Sequence, residues 1–469
     1  MNKYKRLVNN SIIFAIGNMG SKLMQFIMIP LYSYTLSTTQ YGKVDMLTTI
    51  VSLLMPLISL DIADAVFRYA LDKNDNKTET FNTGLLFALI ISLCTIPIAI
   101  IIQGFIHDYP VFLTDIVLIA SMLYSLISNY ARSINRVKEF AAGGIINSLI
   151  MGILNFILLL GLHWHMNGYM ISMAFGMIFS SVYLLIACQM FADIDIHQFN
   201  RLKFRRMLIY SIPLVPNLLA WWLNSASDRV FILFFLGASY NGIYAMANKI
   251  PNILSTLMTI FTQSWQISVV QEYNNKEGKA FITHVFNVLI TLMFALAIAI
   301  IALIKPIFTI IVSHSYYNGW QIAPWLMLAI IYSNMASFLG TIYTVTKQTI
   351  PVMYTTVAGA IINVVFSIIL IPNFHLVGAA LANIISFGVV VLLRLRDIIK
   401  FGRIEVKVSH LLSLHLLFIL PAIINYFTGV IIPALLGITI VLLILFIDPH
   451  LDSVRHLLFL KAKKVVTKK

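Results

Sequence analysis

Charge is scarce in this chain. Asp, Glu, Lys and Arg make up 11% of its 469 residues, where soluble domains carry about a quarter. Hydrophobic residues are 59% of the chain, and no single core hides that share behind so thin a polar skin. An ordinary soluble globule is therefore excluded. Cysteine is also scarce: Cys94 and Cys188 both sit in apolar runs, which argues against a disulfide framework. No G-x-x-x-x-G-K-[ST] run occurs, so no nucleotide engine of that type is present. A cleavable leader is not expected either. MNKYKRLVNN looks like a signal-peptide head, but the apolar stretch behind it runs to about Leu36 with no small-residue cleavage site, so it reads as a retained span.

What is there is hydrocarbon-loving helix. A bilayer-crossing helix needs about 20 apolar residues, and fourteen runs qualify: 11–36, 44–69, 81–103, 112–131, 143–162, 168–190, 207–236, 241–270, 281–304, 321–345, 352–371, 376–393, 409–427 and 430–447. None alternates polar with apolar, so helices are expected rather than barrel strands. The formal net charge of +14 follows the connections. Odd-numbered ones carry little charge. Even-numbered ones hold Lys73 and Lys77; Arg132, Arg136 and Lys138; Arg201, Lys203, Arg205 and Arg206; Lys276 and Lys279; Lys347; and Arg394, Arg396, Lys400, Arg403 and Lys407. Positive charge marks the cytoplasmic side, so both termini are expected there. The charge then reflects orientation, not a nucleic-acid partner.

Shifting the sequence by 200 residues aligns Ser11-Ile12 with Ser211-Ile212, Leu36 with Leu236, Gly42 with Gly242, Met46 with Met246 and Leu54 with Leu254. The expected fold is an all-α polytopic membrane protein of about 14 transmembrane helices. Two parallel six-helix bundles, 1–200 and 201–404, surround a central cleft; two extra helices (405–450) and a basic cytoplasmic tail (451–469) follow.

Intramembrane charge marks function by default, because a charge facing lipid costs about 2.5–3.5 kcal/mol. Lys22 lies mid-span in helix 1, and Asp61, Asp64 and Arg68 lie in helix 2. Asp64 and Arg68 are spaced to pair on one helical face. Helix 7, LIYSIPLVPNLLAWWLNSASDRVFILFFLG, should bend at Pro213 and Pro216, and it carries Trp221, Asn224, Asp228 and Arg229; helix 8 adds Lys249 and Gln266. Counted from the turn at 237–241, Asp228, Arg229 and Lys249 share a depth, so they form either a structural bridge or a bridge with one cation left for substrate. Lys22, Arg68, Asn224, Arg229, Lys249, Trp221 and Gln266 are thus candidate cleft residues. Asp61, Asp64 and Asp228 are candidates for ion coupling or salt bridges. No catalytic residue, metal site or cofactor is expected, though coupling to a proton or sodium gradient is.

TTQYGKVDMLTTIVSLLMPLISLDIADAVFRYAL resembles the second-helix region of bacterial polysaccharide-repeat-unit flippases (Wzx type, serving O-antigen, capsule or exopolysaccharide). These belong to the MATE-like MOP superfamily, with the MATE drug exporters and lipid II flippases. QYGKVDM and YNGIYAMANKI resemble that family's paired signatures, and SASDRVFILFFLG resembles its seventh-helix end. The likeness spans roughly 1–300. It implies a transporter of the bacterial cytoplasmic (inner) membrane, not an enzyme. Its cargo would be an undecaprenyl-pyrophosphate-linked oligosaccharide moved from the cytoplasmic to the outer leaflet by alternating access. Its working partners would be polysaccharide polymerase and glycosyltransferases. By position, Arg68 matches the family's helix-2 arginine, and Asp228 and Lys249 match polar positions of helices 7 and 8. Asp61 departs from the pattern, where a small or apolar residue is commoner, so the resemblance gives it no role. Two other readings stand beside this one: a MATE-like cation-coupled exporter of organic cations, and a membrane polysaccharide polymerase or glycosyltransferase. The first predicts a net acidic cleft, and the second a long outer loop with paired acids or basic motifs.

Overall fold

The computed structural model describes residues 24–455, except 25, 73–74, 196–197, 273–277, 346–348, 402–403 and 453–454. Lys22 lies outside them. The described residues are almost entirely helical, with no strand. After α1 (26–35) come α2 (Thr38–Ser59), α3 (Ile62–Ala70), α4 (Lys77–Phe105), α5 (Val111–Ser133), α6 (Val137–Asn155) and α7 (His165–Ala187). Then follow α8 (Arg201–Ser211), α9 (Val215–Leu236), α10 (Ala238–Lys249), α11 (Asn252–Glu272), α12 (Gly278–Ala302) and α13 (Ile304–Ile311). The last are α14 (Ala323–Val345), α15 (Thr349–Lys400), α16 (Val408–Phe427) and α17 (Ile431–Ile447). Ten helices among the described residues are long and apolar enough to cross a membrane. They account for expected spans 2–7 and 9–13, since α15 carries two. The protein is a multi-pass membrane protein.

Helix ends and breaks follow local chemistry. Ser37 opens α2 with a capping box: its hydroxyl accepts from the Gln40 amide at 3.2 Å, and the Gln40 side chain accepts from the Ser37 amide at 3.0 Å. Two orphan donors are thereby satisfied together. The expected bend in span 7 is real. A 3-10 turn at Ile212–Leu214, holding Pro213, separates α8 from α9, because proline cannot donate to the preceding turn. Span 8 is likewise interrupted at Ile250–Pro251, which hydropathy alone had read as continuous. α15 is two helices folded back at His375, whose φ is 52°. The Asn363 amide donates to Asn383 Oδ1 at 2.8 Å across the hairpin, and the Ser386 hydroxyl reaches the Gly359 carbonyl at 2.9 Å.

Span 2 breaks where neither glycine nor proline sits. Leu60 and Asp61 both adopt left-handed backbone, with φ of 48° and 53°. Such a conformation is uncommon for any side chain and a genuine outlier for a bulky one. Pro56 lies one turn earlier, and the Ser59 hydroxyl accepts the Asp61 amide at 3.2 Å.

The described residues form two compact units, one running to Ala245 and the other from Met246; the chain passes between them within α10. In the first, α3 is wrapped by α4, α5 and α8, burying Ile62, Val66, Phe81, Leu126, Tyr130 and Met207. A second cluster joins α2, α5 and α7 through Val44, Leu47, Val117 and Met170. In the second unit α12 and α14 are the most enclosed helices. Trp265 stacks on Phe338 there, with ring centroids 4.6 Å apart, and donates to Thr341 Oγ1 at 2.7 Å.

Contacts between connections respect the alternation read from charge. In the first unit the odd connections meet one another: Thr38 Oγ1 lies 2.8 Å from Ser239 Oγ, and Lys43 donates to the Asp108 carbonyl at 3.1 Å. At the opposite ends of the helices even connections meet, where Lys203 grips Asp75 and Glu79. The second unit repeats this. Lys279 pairs with Glu405 at 2.7 Å, and Lys305 donates to the Thr428 carbonyl at 2.7 Å.

Candidate functional site

The two turns matched by the 200-residue repeat come together in the first unit. Gly42 of α2 and Gly242 of α10 face each other. A Cβ on Gly42 would overlap the Ala238 carbonyl oxygen, and one on Gly242 would overlap the Thr38 carbonyl oxygen. Only glycine lets two helix backbones approach so closely. The Asn241 amide donates to the Gly42 carbonyl at 2.8 Å and fastens the crossing.

One turn deeper lies a charged cluster. Arg229 Nε donates to Asp45 Oδ2 at 2.9 Å, joining α9 to α2. Its Nη1 lies 3.5 Å from Asp228 Oδ1, and that same oxygen accepts the Arg229 amide at 2.9 Å. The Tyr244 hydroxyl of α10 donates to the other Asp228 oxygen. The Asp228 side chain is 3% exposed, and those of Asp45 and Arg229 are 16% and 19%. Beneath them, Trp222 Nε1 donates to the Thr49 carbonyl at 3.2 Å and to Ser52 Oγ at 3.0 Å. Spans 2, 7 and 8 are thus tied at one depth by two carboxylates, one guanidinium, one phenol and one indole. Removing one member of such a set strands the others in low dielectric, at a cost of about 3–5 kcal/mol.

The other expected residues are placed as follows. Asn224 is buried on α9, and Trp221 beside it is half-buried. Lys249 is half-buried at the end of α10, and Gln266 on α11 is exposed. Asp61 is half-buried at the break in span 2. Asp64 and Arg68 on α3 are both exposed, and no ion pair joins them. Of the candidates, the structure brings Asp228 and Arg229 together. Asp45 and Tyr244 complete the cluster and carry no role in the sequence reading. The signal that could have found Asp45 is an acid in span 2 at the depth of a base in span 7, the two spans flanking matched turns.

No curated protein matches the chain in sequence. Several solved structures share its fold. Lipid II flippase MurJ, in an inward closed conformation, superposes with TM-score 0.72 at 14% identity, covering 92% of this chain and 98% of that one. An inward-facing multidrug resistance MATE family transporter of the MOP superfamily gives TM-score 0.65 at 12% identity, covering 81% and 95%. A MOP superfamily transporter from Pyrococcus furiosus, described as having a binding pocket of reverse polarity that suggests a different function, gives 0.57 at 12%, covering 85% and 96%. These likenesses establish the fold of the MOP superfamily. A family model described as polysaccharide biosynthesis protein matches residues 7–266, more than half the chain. This multi-pass protein with a MurJ- and MATE-like fold therefore belongs to the polysaccharide biosynthesis protein family.

Proposed function

We propose that the protein is a flippase for an undecaprenyl-pyrophosphate-linked oligosaccharide. It moves this cargo from the cytoplasmic to the outer leaflet of the bacterial inner membrane by alternating access. The observation that carries the reading is a conjunction: a polysaccharide biosynthesis family match over 7–266 in a chain with the fold of MOP superfamily transporters. A pyrophosphate with sugars cannot cross hydrocarbon without replacement of its water. Lys22, Arg68 and Lys249 supply charge-assisted hydrogen bonds to it. Arg229, already held by Asp45 and Asp228, joins them when that cluster opens. Trp221, Asn224 and Gln266 serve the sugars, and Asp61 and Asp64 are the coupling acids for a proton or sodium ion. Polysaccharide polymerase and glycosyltransferases act after and before it. Both termini face the cytoplasm, so reporter fusions at Tyr240 and Glu405 should read outside and inside respectively.

The test is a strain lacking the chain. It should accumulate lipid-linked oligosaccharide that an externally added glycosidase cannot reach, and should lose surface polymer. Expression of the chain should reverse both. If the oligosaccharide stays accessible from outside in the deletion strain, the reading is wrong. If instead the strain fails only to elongate exported units, a polymerase is indicated.

A further inference from the structure

In the second unit, far along the chain from the charged cluster, three side chains meet where α16 begins and α17 ends. His410 lies in the first turn of α16, and Asp448 and His450 follow the last residue of α17. Each offers one ligand atom, and all three atoms lie within 4.8 Å of one another, in half-buried surroundings. We propose that His410, Asp448 and His450 bind one divalent transition-metal ion of the zinc class.

The local geometry is close to that of a ligand set. His410 Nδ1 stands 3.7 Å from Asp448 Oδ2, beyond an ordinary hydrogen bond. Two ligands of a tetrahedral zinc ion, with bonds of about 2.0–2.1 Å, sit roughly 3.4 Å apart. The other ring nitrogen, Nε2, lies 3.0 Å from Thr291 Oγ1 of α12. With its proton on Nε2 donated to that hydroxyl, His410 presents a lone pair from Nδ1, the usual support for a ligating histidine. Asp448 is fixed in the same way. Its Oδ1 accepts the His450 amide at 2.9 Å, capping a 3-10 turn at Pro449–Leu451 and leaving Oδ2 for the ion. The two imidazole rings stand 4.6 Å apart by centroid.

Access and selectivity follow from the surroundings. A cavity of about 300 Å³ borders His450 and is also lined by Thr283, His284, Asn287, Lys279 and Glu405. It leads to the connection where Glu405 pairs with Lys279, whose hydrogen bond holds that carboxyl below its usual range. Two imidazoles and one carboxylate suit zinc, cobalt or nickel better than the all-oxygen shells of calcium and magnesium. A bound ion would staple the start of α16 to the end of α17 and, through Thr291, to α12. The fourth position is open to water or to a donor from the cavity.

The experiment uses the full chain, purified in mild detergent without a polyhistidine tag and stripped with chelator. Titration with Zn²⁺ should give one ion per chain by elemental analysis and raise the melting temperature. Co²⁺ should show the visible absorption of a low-coordinate nitrogen–oxygen site. His410→Ala and His450→Ala should each abolish stoichiometric binding, His450→Cys should retain it, and Thr291→Val should weaken it about 10–100-fold. No stoichiometric ion in the wild type overturns the proposal, as does undiminished binding in a folded His410→Ala/His450→Ala variant. Loss of binding in His450→Cys along with His450→Ala, with both folded, also counts against it.

Discussion

Arg229 and Arg394 are both arginines withdrawn from water, one in each unit, and they are satisfied in opposite ways. Arg229 is met by charge, with Asp45 on one side and Asp228 on the other. Arg394 is 1% exposed, and no carboxylate pairs with it among the described residues. It donates to the Ala336 carbonyl at 2.6 Å, to Thr355 Oγ1 and Thr356 Oγ1 at 3.0 Å, and to the Val352 carbonyl at 3.4 Å. Gly340 leaves room for its guanidinium, since a Cβ there would press within 3.0 Å of Nη1. One planar fork thus accepts either counter-ions or a cage of neutral dipoles. The difference matters for mutation. A neutral cage stays neutral when its arginine goes, while a counter-ion left alone becomes a buried charge.

The largest effect should come from Arg229→Ala. Stranding Asp228 and Asp45 is expected to cost about 3–5 kcal/mol, visible as a large fall in melting temperature in detergent. Next is Arg394→Met, which removes hydrogen bonds to charge worth about 1.5–3 kcal/mol each before compensation. Thr355 and Thr356 keep their own helix carbonyls as acceptors, at 2.9 and 2.8 Å, so the net loss should be smaller than at Arg229. The comparison sharpens with a cycle. Adding Asp45→Asn to Arg229→Met should restore at least 1 kcal/mol by relieving the stranded charge. Equal melting temperatures for the single and double variants would show that Asp45 is not the counter-ion that matters. The smallest stability effect is expected at exposed Arg68. Arg68→Ala should stay within about 0.5 kcal/mol of wild type while lowering surface polymer about tenfold, the loss of one charge-assisted contact to phosphate. Wild-type polymer at matched expression would remove Arg68 from the substrate path.

Much of this was legible in the linear chain, and the legible part has a physical signature. Hydropathy reports each residue's solvent directly, so the spans are readable. Pro213 announces the break before α9 because a missing N–H acts locally. Gly42 and Gly242 declare themselves through the repeat. What stayed hidden depends on which helix faces which. Asp45 and Arg229 are 184 residues apart, and nothing local to either names the other. Lys203 reads as an orientation charge, yet it is buried between Asp75, Glu79 and the Asn76 carbonyl. Arg394 reads the same way and is among the most enclosed side chains in the protein. The kink at Leu60–Asp61 has no glycine or proline of its own, and the Ser59 hydroxyl that accepts the Asp61 amide is too common a residue to announce it.

The crossing of Gly42 with Gly242 has a mechanical meaning. Most helix contacts interlock through side chains, and turning one helix on another means re-sorting rotamers between discrete packed arrangements. Where backbone lies directly on backbone there are no rotamers to re-sort. Such a contact fixes the distance between two axes and leaves their angle to be set elsewhere, as a bearing does. In α2 and α10 that setting falls to Asn241, to the Thr38–Ser239 hydroxyl pair, and to Arg229 and Tyr244 one turn deeper. The stiffness of this joint is therefore chemical: a few polar bonds hold its angle, and their exchange would let it turn.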